Sequence, residues 1–519
     1  MKWPFQKVYL AGYVLIAASM PLSMFGMSVG ILVLLGNWLL EGNFSNKYRL
    51  ARENPSLWLI VSVYLVHLLW LLHSTDLHYG LQDVRIKLPL VVLPLIVATS
   101  SPPGRRGMKI IIGCFILALL VSSAITVSIL AGWYPYPITD ARQTSLFISH
   151  IRLALMANLG LFAAAWYLFR QDEPVYRYER YYYTFSLTGL LLFVFLLKSL
   201  TGIVVLFILI LFTLGWMAAK HRRWRHLLFL LTSLLILILA GYLVYAVDRF
   251  YRIDNLNPAQ LATHTAAGNP YTNHTDQAIV ENGHYVWIYI CEPELRKAWN
   301  KRSRLPYDGM DAKQQGLRYT LIRYLASRGL RKDAEGVARL SENDIHHIEA
   351  GMANYLYADR WRLYPYVYRV IWEIDVYRKG DNPSGHSVTQ RFVYLLAAMN
   401  IIRGHLFTGV GTGDVQKAFD AQYAGNFSYM AAEWRKRAHN QFVTFCISFG
   451  IIGAAWIIFA LYLPVIRNGP RAGYLAWVFI LIITLSMMNE DTLETHAGVT
   501  FFSFFYALFF IRKPDEAGS

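Results

Sequence analysis

Apolar runs separated by short polar connections make up most of the chain, with one large polar interruption late in it. A helix needs about 20 apolar residues to cross a bilayer core. Runs of about that length recur near 9–24, 26–41, 56–73, 84–99, 108–131, 147–169, 181–197, 201–218, 226–246, 441–464, 472–488 and 498–512. They predict about twelve transmembrane helices. The chain then divides into a membrane bundle over 1–246, a large outer region over 247–440 and a closing bundle over 441–519.

Inside the polar region the period is again helical. Residues 252–285 carry no clear period and read as loop. Leu317, Leu321, Tyr324 and Leu325 have helical spacing within a segment expected from Asp311 to Leu330, with Gly329 as its C-terminal cap. Ser341-Glu342-Asn343-Asp344 has the form of a capping box, and 360–378 is a further helix ended by Asn382-Pro383-Ser384-Gly385. Ser387 then starts a helix to about Arg403, on which Arg391, Tyr394, Leu395, Ala398 and Ile402 share one face. The expected class is an all-α polytopic membrane protein with a large helical outer domain.

Composition agrees with that reading: 55% of residues are hydrophobic, 16% are charged and the mean hydropathy is +0.33, too apolar for one soluble core. The net charge of +16 first suggests nucleic acid, but its placement points elsewhere. Lys2 and Lys7, Lys47 to Arg52, Arg105 to Lys109, Arg170 to Arg180, Lys220 to Arg225, Arg467 and Arg471, and Arg512 and Lys513 fall on alternate connections. That is the positive-inside pattern. It predicts cytoplasmic termini, a 247–440 region on the outer side, the bilayer as partner and no nucleic acid. The first apolar run, preceded by Lys2 and Lys7 and followed by no cleavage site, reads as an uncleaved anchor. Cys114, Cys291 and Cys446 offer no disulfide framework.

Candidate chemistry collects where polar residues meet apolar runs. Arg435-Lys436-Arg437-Ala438-His439-Asn440-Gln441 delivers cations and an imidazole to the mouth of the run that continues through Gly450 and Gly453. Asp76, Asp83, Arg85 and Lys87, and Asp140, Arg142, His150 and Arg152, are ionisable groups beside other runs. Lys198 is the cation of a tight hairpin, and Glu490, Asp491 and Glu494 fill the last outward connection. Gly409-Val410-Gly411-Thr412-Gly413 lacks the Lys and Ser/Thr of a P-loop, leaving a tight interhelical link or a backbone nest for phosphate oxygens. His264, His274 and His284 recur at a spacing that suits no helical metal site, so no metal and no cofactor is expected.

His439-Asn440, nine intervening residues, then Gly450 and Gly453 resembles the signature of the bacterial O-antigen ligase and polymerase superfamily. Arg391 on a helix leading to Gly409 and Gly411, the span layout and the acidic last loop extend the resemblance, which leaves 252–385 unexplained. It implies a GT-C type inner-membrane glycosyltransferase, independent of metal, that takes a glycan from undecaprenyl diphosphate at the periplasmic face. The acceptor would be lipid A core, another lipid-linked repeat or protein. The chain departs from the family at Ser199-Leu200-Thr201-Gly202, where an arginine is usual; Lys198 beside it supplies a point charge instead of a bidentate fork.

The residues themselves suit that chemistry. A leaving diphosphate needs cations, here Arg391 and Arg437 with Arg435 and Lys198, each worth on the order of 4 kcal/mol at about 4 Å before desolvation. An acceptor hydroxyl needs a base, and His439 is the candidate, histidine being the side chain whose ordinary range suits that role. Glu490, Asp491 and Glu494 either balance the charge of the cationic cluster, or bind the acceptor or orient His439. A polytopic flippase is the rival from another class; it would show midplane ionisable residues and broken helices, whereas the charges here gather at one interface.

Overall fold

The computed structural model describes residues 4–133, 145–170, 174–197, 199–277, 279–359, 362–380 and 382–511. The chain is 72% helical with almost no sheet, as expected of an all-α polytopic membrane protein. In hydrocarbon only a helix or a closed barrel satisfies its own backbone, which is why the apolar runs all become helices. Seven described helices are long and apolar enough to cross a membrane: Met24–Glu41, Arg105–Leu130, His150–Phe169, Leu200–Lys220, Arg222–Tyr251, Gln441–Gly469 and Ala472–Asn489. The pair Phe44–Arg52 and Pro55–Leu71 passes the same test jointly but is bent by 89°. Asn54 causes the break, its side chain accepting from Leu57 N at 3.2 Å while Pro55 opens the second helix.

The other expected spans are shorter or more polar helices. The run 84–99 is divided between Leu77–Ile86 and the 11-residue Pro89–Thr99, because Pro89 cannot donate within a continuing helix. Phe5–Ser19 has 15 residues, Arg177–Leu196 begins with a charged turn, and His496–Tyr506 is extended by a π turn to Ile511.

By contacts the chain forms two compact units, Met1–Arg225 with Gln390–Ser519, and His226–Thr389. The first is one continuous apolar core in which Phe445, Phe449, Phe479, Phe501 and Phe505 are buried. Two glycines shape it. In the Gln441–Gly469 helix Gly450 has φ 65° and ψ −176°, and its Cα faces the Phe407 carbonyl so closely that a Cβ would sit 2.2 Å from the oxygen. Gly409, at φ 69°, approaches Ser448 as tightly, with a Cβ falling 2.4 Å from that carbonyl. The two backbones cross here and bond, Val410 N to Ile447 O at 2.8 Å, Gly411 N to Ser448 O at 3.0 Å and Ile451 N to Leu406 O at 2.8 Å.

The second unit has its own core of Trp299, Leu317, Leu321, Leu325, Val337, Ile345 and Ile348. The helix expected from Asp311 begins only at Leu317, because Asp311 spends its carboxylate on the preceding loop. It accepts from Lys313 N at 2.9 Å, Gln315 N at 3.0 Å and the Thr320 hydroxyl at 2.7 Å. Gly329, at φ 66°, ends the helix as the spacing predicts, and Ser341 with Asp344 forms the expected capping box. Residues read as loop contain a small hairpin, Val280–Glu281 paired with His284–Tyr285.

Candidate functional site

Four segments of the first unit converge on the connection between Asn489 and His496. Asn440 ends the polar approach by capping the Gln441–Gly469 helix, its Oδ1 accepting from Val443 N at 3.1 Å, while its amide donates to Met488 O at 3.0 Å. That clamp places His439 beside the acidic connection. His439 Nδ1 lies 3.5 Å from Glu490 Oε2, and its ring centre lies 5.8 Å from that of Tyr394. The backbone of His439 is left-handed, φ 49°, a conformation costing a non-glycine residue about 1–2 kcal/mol. Tyr394 is itself fixed by donating to Trp434 O at 2.6 Å, and burial pushes its phenol up to about 12 against the pull of Arg391.

Arg391, one turn before Tyr394, reaches the other side of the same carboxylate. One guanidinium nitrogen donates to Asn489 Oδ1 and the other lies 3.5 Å from Glu490 Oε1. Asn489 in turn donates to Thr201 Oγ1 at 2.6 Å, so the Ser199–Gly202 hairpin joins the cluster through its threonine. Burial alone would raise the Glu490 carboxyl, but His439, Arg391 and Arg152 together hold it below the ordinary carboxylate range. It is therefore an anion at neutral pH.

Beneath lies a second, more buried set. Lys87 donates to Asp83 at 2.5 Å and to Glu494 at 3.1 Å, and Gln441 grips the connection twice, donating to Glu494 at 3.0 Å and accepting from Leu493 N at 2.7 Å. Arg437 NH1 is 3.9 Å from Glu494, its Nε donates to Gln416 at 3.1 Å, and it also bonds the Tyr79 hydroxyl. Burial would raise Glu494, yet Lys87 and Arg437 outweigh it and hold that carboxyl well below its ordinary range. Asp83 goes the other way: burial pushes it up to about 7 although Lys87 opposes this. Burial also raises Asp491, which accepts from the Thr444 hydroxyl at 2.7 Å.

The structure thus gathers Arg391, Arg437, His439, Asn440, Glu490, Asp491 and Glu494. Arg435 is turned away, donating to Met430 O at 2.9 Å and Ser428 O at 3.3 Å to close its own loop. Lys198 lies outside the described residues, as do Asp140 and Arg142. The glycine segment is a structural link: the Gly409, Val410, Gly411 and Gly413 amides donate to His405, Ile447, Ser448 and Ser74, so no backbone nest is left for a phosphate. Gly453 packs on the Phe449 side chain. Asp491 and Glu494 are engaged by Thr444, Lys87 and Gln441, which leaves Glu490 as the acid that faces His439. Sequence reasoning missed the roles of Asn489, Thr201, Gln441 and Tyr79; the one available signal was Tyr394, which shares a helix face with Arg391. Among the described residues no three His, Cys, Asp or Glu side chains are placed to hold a metal ion.

Comparison of the chain with protein-family models and with curated proteins finds no match.

Proposed function

We propose that the chain is a glycosyltransferase of the O-antigen ligase type, moving a glycan from undecaprenyl diphosphate to a hydroxyl of lipid A core. The observation that supports this best is the placement of His439 and Arg391 on opposite oxygens of one carboxylate, Glu490, at the start and end of apolar helices. With Nδ1–H directed at Glu490, Nε2 is the nitrogen free to accept a proton. The acceptor oxygen attacks the anomeric carbon and its proton passes to Nε2. The bond from that carbon to the diphosphate breaks, and the leaving oxygen carries the electron pair to a lipid diphosphate stabilised by the Arg391 and Arg437 guanidiniums. In this reading about twelve helices cross the inner membrane, the termini are cytoplasmic and the region 247–440 is periplasmic.

Purified protein, a lipid-linked donor and a lipid A core acceptor test the reaction. Transfer is expected in the presence of EDTA and is expected to be lost in His439→Ala. Turnover by that variant would remove the base assignment. In cells, deletion should leave intact repeat polymers on undecaprenyl diphosphate; accumulation of single repeats would instead mark a polymerase.

A further inference from the structure

In the second unit the stretch from Tyr285 to Ile290 alternates in burial: Val286, Ile288 and Ile290 are buried, while Tyr285, Trp287 and Tyr289 are half-exposed. An aromatic side chain therefore comes to the surface at every second position, and neighbouring segments extend the row. The Trp287 ring meets that of Tyr319 edge to face, centres 6.2 Å apart, and Tyr319 is 45% exposed. The Tyr289 ring meets Tyr271 in the same way at 5.7 Å. The row is built rather than loose. His274 N donates to Trp287 O at 2.8 Å, Tyr289 N to Asn273 Oδ1 at 2.6 Å and Lys332 N to Tyr289 O at 3.0 Å. These bonds hold Tyr289 at φ 55°, a conformation that a bulky residue rarely adopts. Backbone strain of that kind persists only where the surroundings over-determine it, and it collects at ligand clamps.

Two guanidiniums complete the face. That of Arg318 lies over the Tyr319 ring, 4.5 Å from its centre, and donates to its hydroxyl. That of Arg331 lies 4.9 Å from the centre of Tyr289 and 5.8 Å from that of Tyr271. Other arginines of this unit are neutralised: Arg296, Arg302, Arg323 and Arg328 reach Asp308, Glu342, Glu281 and Asp344. Among the described residues neither Arg318 nor Arg331 is paired with a carboxylate. Glu292 acts on Arg318 only through space, and Asp333, two residues beyond Arg331, is engaged by the Tyr271 hydroxyl and by Gly336 N at 2.7 Å. Stacking uses the flat face of a guanidinium and leaves in-plane N–H groups for a ligand. The rings thus fix two cationic forks without neutralising them.

We propose that this face binds an acidic saccharide, its carboxylates on Arg318 and Arg331 and the C–H faces of its sugar rings on the aromatic row that joins them. A free anion would use the arginines but not the row; a neutral saccharide would use the row and leave both guanidiniums unmatched. An acidic peptide would match the charge but has no rigid C–H face to lay on the rings. The face contains none of Arg391, Arg437 and His439, so it is independent of the glycan transfer proposed above and is read by binding alone.

The test is calorimetric titration of the detergent-purified full chain with trigalacturonic acid, galactotriose, hexaglutamate and inorganic sulfate. Trigalacturonic acid should bind saturably, and the other three at least tenfold more weakly. Arg318→Gln and Arg331→Gln should each weaken its binding at least tenfold. Tyr289→Gly removes a ring while glycine accepts the positive φ, so the fold should keep or gain stability as binding falls at least fivefold. Unliganded melting midpoints check folding, and the glycine variant carries the test if an arginine variant does not fold. Arg339→Gln, which removes a guanidinium already paired with Glu335, and Arg391→Ala should bind the acidic trisaccharide normally. Absence of saturable binding, or equal binding of galactotriose, hexaglutamate or sulfate, would overturn the acidic saccharide. Unchanged binding in the three face variants, or an equal loss in Arg339→Gln or Arg391→Ala, would overturn the location.

Discussion

Glu490 stands between His439 and Arg391, with Oε2 3.5 Å from the imidazole Nδ1 and Oε1 3.5 Å from the guanidinium. One carboxylate therefore faces both an imidazole and a guanidinium, and both contacts depend on its charge.

Glu490→Gln keeps the shape and removes the charge. In the transferase reading kcat should fall on the order of 100 to 10,000-fold, as expected when a base loses its orienting carboxylate. KM for the donor should stay level or drop, because a negative group no longer competes with the diphosphate for Arg391. A rise in KM with unchanged kcat would make Glu490 a binding residue instead.

Arg391→Lys should be nearly as damaging as Arg391→Ala. The guanidinium spans Asn489 and Glu490 with separate nitrogens, which a single ammonium cannot reproduce. Loss of one such donor costs on the order of 100 to 1000-fold in rate. Transfer assays of the two variants at matched expression check this, and wild-type turnover by the lysine variant would limit Arg391 to a structural part.

Gly450→Ala should prevent correct folding. Its φ of 65° with ψ of −176° belongs to glycine alone, and a Cβ would meet the Phe407 carbonyl at 2.2 Å. Gly36→Ala is the control, since a Cβ there meets nothing within 4 Å. The first should lower the melting midpoint sharply or give aggregated protein, and the second should leave it unchanged or slightly raised.

Asp83 predicts a pH dependence of stability. Its folded pKa is raised to about 7, so its contribution is full below the ordinary carboxylate range and is lost as pH rises toward 7. Each pH unit over which it titrates is worth on the order of 1.4 kcal/mol. Glu490 and Glu494, held low, work in the opposite direction, so the variant isolates the effect: the melting midpoint of Asp83→Asn should rise relative to that of the wild type between about pH 4 and pH 7, while Glu494 still pairs with Lys87 at 3.1 Å. An identical slope in the variant would assign the titration elsewhere.

The sequence alone determined which segments are helical and apolar, because a helix in hydrocarbon satisfies its backbone within itself and its lipid-facing side chains are read from a local window. Ser341, Gly329 and Asn440 were legible for the same reason: a cap acts on amides or carbonyls a few residues away. Where the sequence misled, a distant partner had intervened. The run 84–99 reads as one span until Pro89 divides it and Lys87 is drawn into a buried cluster with Glu494, 407 residues away. Gly409 and Gly411 suit a phosphate nest until Ile447 and Ser448 take the amides. Arg435 and Arg437 are neighbours of like charge, and only the fold decides that one closes a loop while the other meets Tyr79 and Glu494. The candidate site is likewise a product of tertiary structure. Arg391 and Asn489 are separated by 98 residues, and their contact depends on a backbone crossing at two glycines that no local pattern specifies.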